Sequence, residues 1–420
     1  MSLLGTQPVS TLNAQPVAEN TWNGPFIVLT TPKSRESPAR INNSHRNRAL
    51  DGARALSALL VVAHHCATPA AGGPYPGAFV GRVLDTAGHW AVALLFLLSG
   101  YLLFREFVGK ILFQETRTPL PHYFERRFLR IYPAYWLSLI GAVLLLGAPR
   151  IQGSTFGLFT LFERFMNTED AFPGIAVYWT LSVEISFYIF LPIFSAVIGT
   201  ALSRVTRLKT RIRVLLIAIA GLLLLTPIYI GVVVASHQDD YRLASSFTQY
   251  VGWFGLGMLL TVFAELRSRG HWVSQSLRDL SDRTWACWSC TAIAFACMLV
   301  LKGASEPFGL FYQWSTLETQ FTMVFLGLGT FFFLLPLTVG KSASSGVQSL
   351  GSPAMIWLAS VSYGVYLWHL IIILYINIHL TLPQGFFGFL VLFALTIVPS
   401  LLIGWLSSRL VERPALKLAR

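Results

Sequence analysis

Residues 214–235 read VLLIAIAGLLLLTPIYIGVVVA, twenty-two positions without one charged side chain. About 20 helical residues cross the hydrocarbon core of a bilayer, so this stretch is long enough to span it. Working outward from it, nine further apolar blocks appear, at about 53–70, 88–108, 131–148, 176–200, 244–265, 284–302, 316–339, 354–378 and 385–407. They are continuous and do not alternate residue by residue, which argues against a transmembrane barrel. Residues 155–166 are also apolar but too few to cross, and are expected to lie at the interface. The pattern predicts an all-α, polytopic transmembrane helix bundle of about ten spans.

Composition agrees. Of the 420 residues, 54% are hydrophobic and 12% charged, and the mean hydropathy is +0.60. An average soluble domain carries about 25% charged residues. Half that charge cannot cover a soluble fold of this size, which excludes a soluble enzyme, a disordered chain and a disulfide scaffold. The net charge of +12 would suggest nucleic acid in a soluble protein. Here the basic residues sit in short loops between apolar blocks, and no nucleic-acid partner is expected.

The loops carry the charge unevenly. Of the 31 Lys and Arg, 24 lie in the N-terminal tail, alternate loops and C-terminal tail. The other loops hold only Arg82, Arg150, Arg164 and Arg242, while Arg54, Arg105 and Lys302 fall inside spans. By the positive-inside rule both termini face the cytoplasm of a cell-membrane, multi-pass protein. Residues 1–48 are polar, lack a helical period and have no signal-peptide core, so they read as a disordered cytoplasmic tail. A membrane domain over 49–414 and a short tail over 415–420 complete the organisation. Cys66, Cys287, Cys290 and Cys297 all lie in apolar segments, so no disulfide framework is expected. The Cys287–Cys290 pair has no second pair beside it, and no metal site is expected.

Ionisable residues inside a bilayer are costly and mark functional candidates. His64, His65, Glu184 and His369 lie deep in their spans. Arg54, His89, Arg105, Glu265, Lys302 and Glu318 lie near span ends, where snorkelling explains them. Arg54 and His65 are eleven residues apart, almost three whole turns, so one stripe carries a cation and an imidazole about 16 Å apart along the axis. Asp51 lies close to the same face. Leu181, Glu184 and Tyr188 share a face of the fourth span. Counted from the expected membrane surfaces, Glu184 and His65 both lie about 18 Å from the cytoplasmic side, which predicts a His65–Glu184 pair. A purely structural pair and a catalytic one both fit that spacing. Ser362, Tyr366 and His369 form one polar face in the ninth span, for which a helix–helix hydrogen-bond seam is the simpler account. Arg126, Arg127 and Arg130 precede the third span; their guanidiniums suit phosphate, and topology alone also explains them.

Together these segments resemble the acyltransferase type 3 family of integral-membrane O-acyltransferases, from residue 48 to 414. The carriers are Leu50-Asp51-Gly52-Ala53-Arg54 with His65 after ten intervening residues, Leu95-Phe96-Leu97-Leu98-Ser99-Gly100, Arg126-Arg127 and Arg130 up to Tyr132-Pro133, Trp179 to Tyr188, Tyr366 to His369, and Glu412-Arg413-Pro414. The family's first Phe of the second motif is Leu95 here. The likeness is to the standalone form, without the hydrolase-like domain that many members carry after the last span. The resemblance implies transfer of an acyl group, often acetyl, from cytoplasmic acyl-coenzyme A as co-substrate, with no permanently bound cofactor. The acceptor is a hydroxyl of a saccharide, glycolipid or secondary metabolite. His65 and Glu184 are then the catalytic candidates, and Arg54, Arg126, Arg127 and Arg130 the coenzyme-binding ones. Asp51, Ser99, Trp179, Tyr188, Tyr366 and His369 support them. The rival reading is a proton-coupled transporter, since intramembrane His and Glu also build relays. No internal repeat and no plainly broken pair of spans supports it.

Overall fold

The computed structural model describes residues 38–69, 72–115, 119–147, 155–162, 177–236, 243, 245–271, 273–301, 315–341 and 344–418. The chain divides into Met1–Ile41 and Asn42–Arg420, and the bundle considered below is the second unit. Every described element is helical. In chain order they are α1 (Pro38–Ala67), α2 (Ala78–Phe113), α3 (Leu120–Leu146), α4 (Thr155–Thr160), α5 (Trp179–Ala201) and α6 (Leu208–Tyr229). Then come α7 (Phe247–Ser268), α8 (Gln275–Asp282), α9 (Thr284–Leu301), α10 (Thr316–Thr338), α11 (Ser345–Leu350), α12 (Pro353–His379), α13 (Gly385–Ser407) and α14 (Arg413–Leu418). Single π-turns extend α6 over Ile230–Val234 and join α13 to α14 over Ser408–Glu412.

Among the described residues, nine helices are long and apolar enough to cross a membrane: α2, α3, α5, α6, α7, α9, α10, α12 and α13. Each of the ten expected blocks forms a helix among its described residues, but α1 does not reach the apolarity of the other nine. Asp51, Arg54, His64 and His65 within it are the reason. The polar stretch 1–48 lies outside the described residues up to 37, and α1 already begins at Pro38. Helix α2 is far longer than its apolar block and starts ten residues earlier, which brings Asp85 into the bundle.

Close helix approach uses small residues, as packing in a lipid environment requires. A Cβ on Gly100 of α2 would meet the Phe254 carbonyl of α7, and one on Gly257 would meet the Leu97 carbonyl. The Thr261 hydroxyl donates to the Tyr101 carbonyl across the same seam at 2.8 Å. Beside it, Phe254 stacks on Phe187 of α5 and Phe96 of α2, with centroids 4.2 and 4.9 Å away. On the outside, Leu144, Leu224, Val300 and Val398 stand exposed, as lipid-facing residues do.

Backbone groups freed at helix ends find partners inside the molecule, since lipid offers none. Helix α4 is too short to cross, as expected for its segment. Its C-terminal carbonyls would be orphaned. Instead Tyr135 donates to Leu158, Trp136 to Phe159 at 2.9 Å, Tyr132 to Thr160 at 2.9 Å, and Ser182 to Leu161 at 2.7 Å. Arg211 is buried and donates to the carbonyls of Ile111, Leu202 and Val205, closing the C-terminal ends of α2 and α5 with a positive charge. Among the end-of-span ionisable residues, Glu318 is the N3 residue of a capping box with Ser315. Glu265 pairs with Arg269 at 2.6 Å, and Arg105 lies over the Tyr101 ring. Lys302 lies outside the described residues.

Candidate active site

Helices α1, α2, α3, α5 and α12 enclose a cavity of about 1000 Å³ including its mouth. Its polar lining is Arg54 from α1, Ser99 from α2, Arg127 and Arg130 from α3, Thr180, Glu184 and Tyr188 from α5, and Ser362, Tyr363 and Tyr366 from α12. Val92, Leu95, Phe96, Leu98, Leu102 and Leu103 form its apolar wall along α2. The helical spacing read from the sequence accounts for this. Leu181, Glu184 and Tyr188 all line the cavity from one face of α5, and Ser362 and Tyr366 do so from one face of α12.

Glu184 is tied down by two hydroxyls. Ser99 donates to its Oε1 at 3.0 Å and Tyr188 to the same oxygen at 2.7 Å. Arg54 lies within electrostatic reach of both Glu184 and Arg130, and pairs with Asp51 at 3.2 Å. Arg127 donates to Glu106 at 2.6 Å and lies over the rings of Tyr123 and Tyr188. This end of the cavity is therefore lined by three guanidiniums and one carboxylate, with Asp51 and Glu106 pairing Arg54 and Arg127 from outside the lining. Arg126 is exposed and is not part of the lining, although it was grouped with Arg127 and Arg130 by sequence. On a helix its side chain points about 100° away from that of Arg127.

A second polar group lies deeper. His65 Nδ1 is 3.3 Å from His369 Nε2, and His369 Nδ1 is 2.6 Å from the Tyr366 carbonyl. The neighbouring His64 turns toward α2, where its ring packs on Gly88 and its Nδ1 is 3.8 Å from Asp85. His89 Nδ1 lies 3.3 Å from the same buried carboxylate. Below His369, Tyr366 donates to the Val177 carbonyl and shares a hydrogen bond with Thr180, fastening α12 to the start of α5. Trp179 packs its ring against Phe96 and Tyr250 at 6.1 and 5.1 Å.

The expected His65–Glu184 pair does not form. Among the described residues His65 contacts Val61, His64 and His369, whereas Glu184 contacts Ser99 and Tyr188. The physical reason is the starting depth of α5. Val177 and Tyr178 are buried, and the Tyr178 hydroxyl reaches the Leu367 carbonyl near the midpoint of α12. Helix α5 thus begins in the interior of the bundle, not at its surface, and Glu184 sits about 9 Å further toward the arginines. His65 and His369 are level with the beginning of α5. The cavity lining reaches Ala58 and Tyr366 but does not include His65.

Several contributors escaped the sequence reading: Glu106, Thr180, Tyr363 and Asp85. Glu106 acts across helices, where one-dimensional spacing is silent, and Asp85 lies in the part of α2 that precedes its apolar block. Thr180 lies inside the Trp179–Tyr188 segment and was the one with a signal.

The family model described as "Acyltransferase domain" matches residues 47–409. The chain is 25% identical over 373 residues to "Nodulation protein 10" of Rhizobium leguminosarum bv. viciae, covering 83% of this chain and 87% of that protein. It is 23% identical over 286 residues to "Putative acetyltransferase ORF330" of Acidianus two-tailed virus, covering 68% and 73% respectively. No solved structure matches it.

Proposed function

This chain belongs to the acyltransferase family and is a multi-pass membrane protein; from that premise we propose that it transfers an acyl group, acetyl in the simplest case, from acyl-coenzyme A to a hydroxyl. The acceptor class is a saccharide, a glycolipid or a secondary metabolite. The observation that carries the reading is the cavity itself, with guanidiniums at one end, an apolar wall along α2, and an imidazole pair beyond.

The end of the bundle holding Arg54, Arg127 and Arg130 is the cytoplasmic one, with α1 as a tenth span and both termini on that side. The 24-to-4 distribution of Lys and Arg supports this orientation in a cell membrane. Residues 1–48 and 415–420 are then cytoplasmic tails of a membrane domain over 49–414.

Coenzyme phosphates bind Arg127 and Arg130 through charge-assisted hydrogen bonds, and Arg54 lies above them along the pantetheine path. The arm rises along the apolar wall, which carries the thioester past Glu184 toward His65. Among the described residues Glu184 Oε2 accepts no hydrogen bond. It is available to an amide N–H of the pantetheine arm, and its charge offsets the three guanidiniums. His65 then acts as general base on the acceptor hydroxyl, or as nucleophile carrying the acyl group. Asp51, Ser99, Trp179, Tyr188, Tyr366 and His369 hold these groups in place.

The test is thiol release from acetyl-coenzyme A by purified protein in proteoliposomes, with and without hydroxyl acceptors. Acceptor-dependent coenzyme A release is expected. Proton-coupled transport of a solute with no thioester cleavage would move the reading to a transporter.

A further inference from the structure

The imidazole pair has an internal polarity that follows from what each ring nitrogen faces. A carbonyl oxygen only accepts hydrogen bonds. His369 Nδ1 faces the Tyr366 carbonyl at 2.6 Å, so Nδ1 carries the hydrogen and Nε2 of the neutral ring carries the lone pair. His65 Nδ1 faces the Val61 carbonyl at 2.9 Å, so it too carries a hydrogen. That hydrogen has a second acceptor, the His369 Nε2 lone pair, at an N–N distance of 3.3 Å. The ring centroids are 5.0 Å apart and the planes inclined by 56°. Both hydrogen bonds fall on one nitrogen of His65. Its Nε2 is left as the basic atom.

We propose that His369 is a positioning residue that holds His65 with Nδ1 protonated and presents Nε2 to the reacting groups. The proposal rests on the reading above, in which His65 is the group that reacts. In direct transfer, Nε2 takes the proton of the acceptor hydroxyl while its oxygen attacks the thioester carbonyl. The new C–O bond forms, the C–S bond breaks, and the departing sulfur receives that proton back from Nε2. Between these events His65 is an imidazolium. Its Nδ1–H then makes a charge-assisted hydrogen bond to His369 Nε2, which is stronger than the neutral one.

The arrangement parallels the Ser–His–Asp triad, in which a third group fixes tautomer and orientation. A neutral imidazole in the third place adds no further charge to the membrane interior, where a carboxylate is expensive. The two carboxylates nearby are committed elsewhere. Glu184 lies about 9 Å away with Ser99 and Tyr188, and Asp85 is flanked by His64 and His89. His369 itself is fully buried and anchored through Tyr366, whose hydroxyl is fastened to α5. It therefore has little freedom to turn.

The experiment combines kinetics with a tautomer readout on full-length protein in nanodiscs. His369→Phe removes the acceptor and should lower kcat about 100-fold, at the low end of general acid–base contributions, with donor KM within twofold. His369→Gln offers an amide oxygen to the same hydrogen and should recover to within about tenfold of wild type. Equal losses in the two variants, or no loss in either, would overturn the proposal in favour of a packing seam. Histidine-selective ¹⁵N spectra of the wild type, with His65 assigned through His65→Gln, should show a protonated Nδ1 and a bare Nε2. The opposite tautomer also overturns the proposal. The spectrum is read without turnover, so full activity in His65→Gln would defeat the reading of His65 as the reacting group while leaving the tautomer result standing.

Discussion

The two polar layers of this bundle are built on opposite principles. The layer around Glu184 is ionic: Arg54, Arg127 and Arg130 line it with one carboxylate that two hydroxyls hold in place, and Asp51 and Glu106 pair two of the guanidiniums from behind. The layer around His65 is built from imidazoles paired through lone pairs and backbone carbonyls. Fixed positive charge suits an anionic ligand that arrives from water. A group that must gain and lose a proton is better placed where no fixed charge holds it in one state. Under the proposed function, donor binding belongs to the first layer and chemistry to the second, and each role has its own kinetic signature.

The largest expected effect is in the imidazole layer. His65→Ala should lower kcat by about 1000-fold or more, within the range for losing a general base or nucleophile, while donor KM stays near wild type. His64→Ala should stay within about threefold, because its ring faces Gly88 and Asp85 and not His369. Steady-state kinetics on both variants in proteoliposomes checks this. Activity that survives loss of His65 but not of His64 would reverse the roles.

In the ionic layer the combined change Arg127→Ala and Arg130→Ala should raise donor KM by about 100-fold or more, from two charge-assisted hydrogen bonds at about 1.5–3 kcal/mol each. The kcat should hardly move. Glu184→Gln should raise donor KM about tenfold, since an amide keeps one acceptor but not the charge. A fall in its kcat at constant KM would instead make Glu184 the base, and would merge the two layers into one reacting centre.

The smallest effect serves as a baseline for charge outside the cavity. Arg269 bridges Glu115 and Glu265, each at 2.6 Å, and lies over the Phe113 ring. The guanidinium holds the Glu115 carboxyl below the usual carboxylate range, and Glu115 in turn raises Arg269. A depressed carboxylate stabilises the fold above its unfolded-state range and loses that contribution as pH falls through its folded value. Arg269→Ala should therefore lower the midpoint of thermal unfolding slightly at neutral pH and by less in strong acid, where only the contact with Phe113 is lost, leaving donor KM unchanged. A change in KM as large as that from Glu184→Gln would extend the donor site to this surface.

Much of this architecture is legible in one dimension because hydrophobic length and helical period act locally. The apolar blocks found their helices, and the Leu181–Glu184–Tyr188 and Ser362–Tyr366 faces line the cavity as their spacing requires. The paired depth of His65 and Glu184 was not legible. It depended on where α5 begins relative to its neighbours, which is set by Tyr178 reaching Leu367 and by Tyr366 fastening Val177. The same blindness hid the Glu106–Arg127 pair, whose members are 21 residues apart on different helices. Asp85 was missed for another reason: α2 continues past its apolar block, because charged and polar residues are tolerated where the bundle shields them.

The separation of binding from chemistry is tested most directly by equilibrium binding of radiolabelled acetyl-coenzyme A at low and high salt. The proteins compared are wild type, His65→Ala, and the combined Arg127→Ala and Arg130→Ala variant, all purified in the same nanodiscs. The account predicts that His65→Ala binds the donor as tightly as wild type, with the same weakening by salt, and that the double arginine variant binds more weakly by about 100-fold or more. Loss of binding in His65→Ala together with undiminished binding in the arginine variant would contradict it.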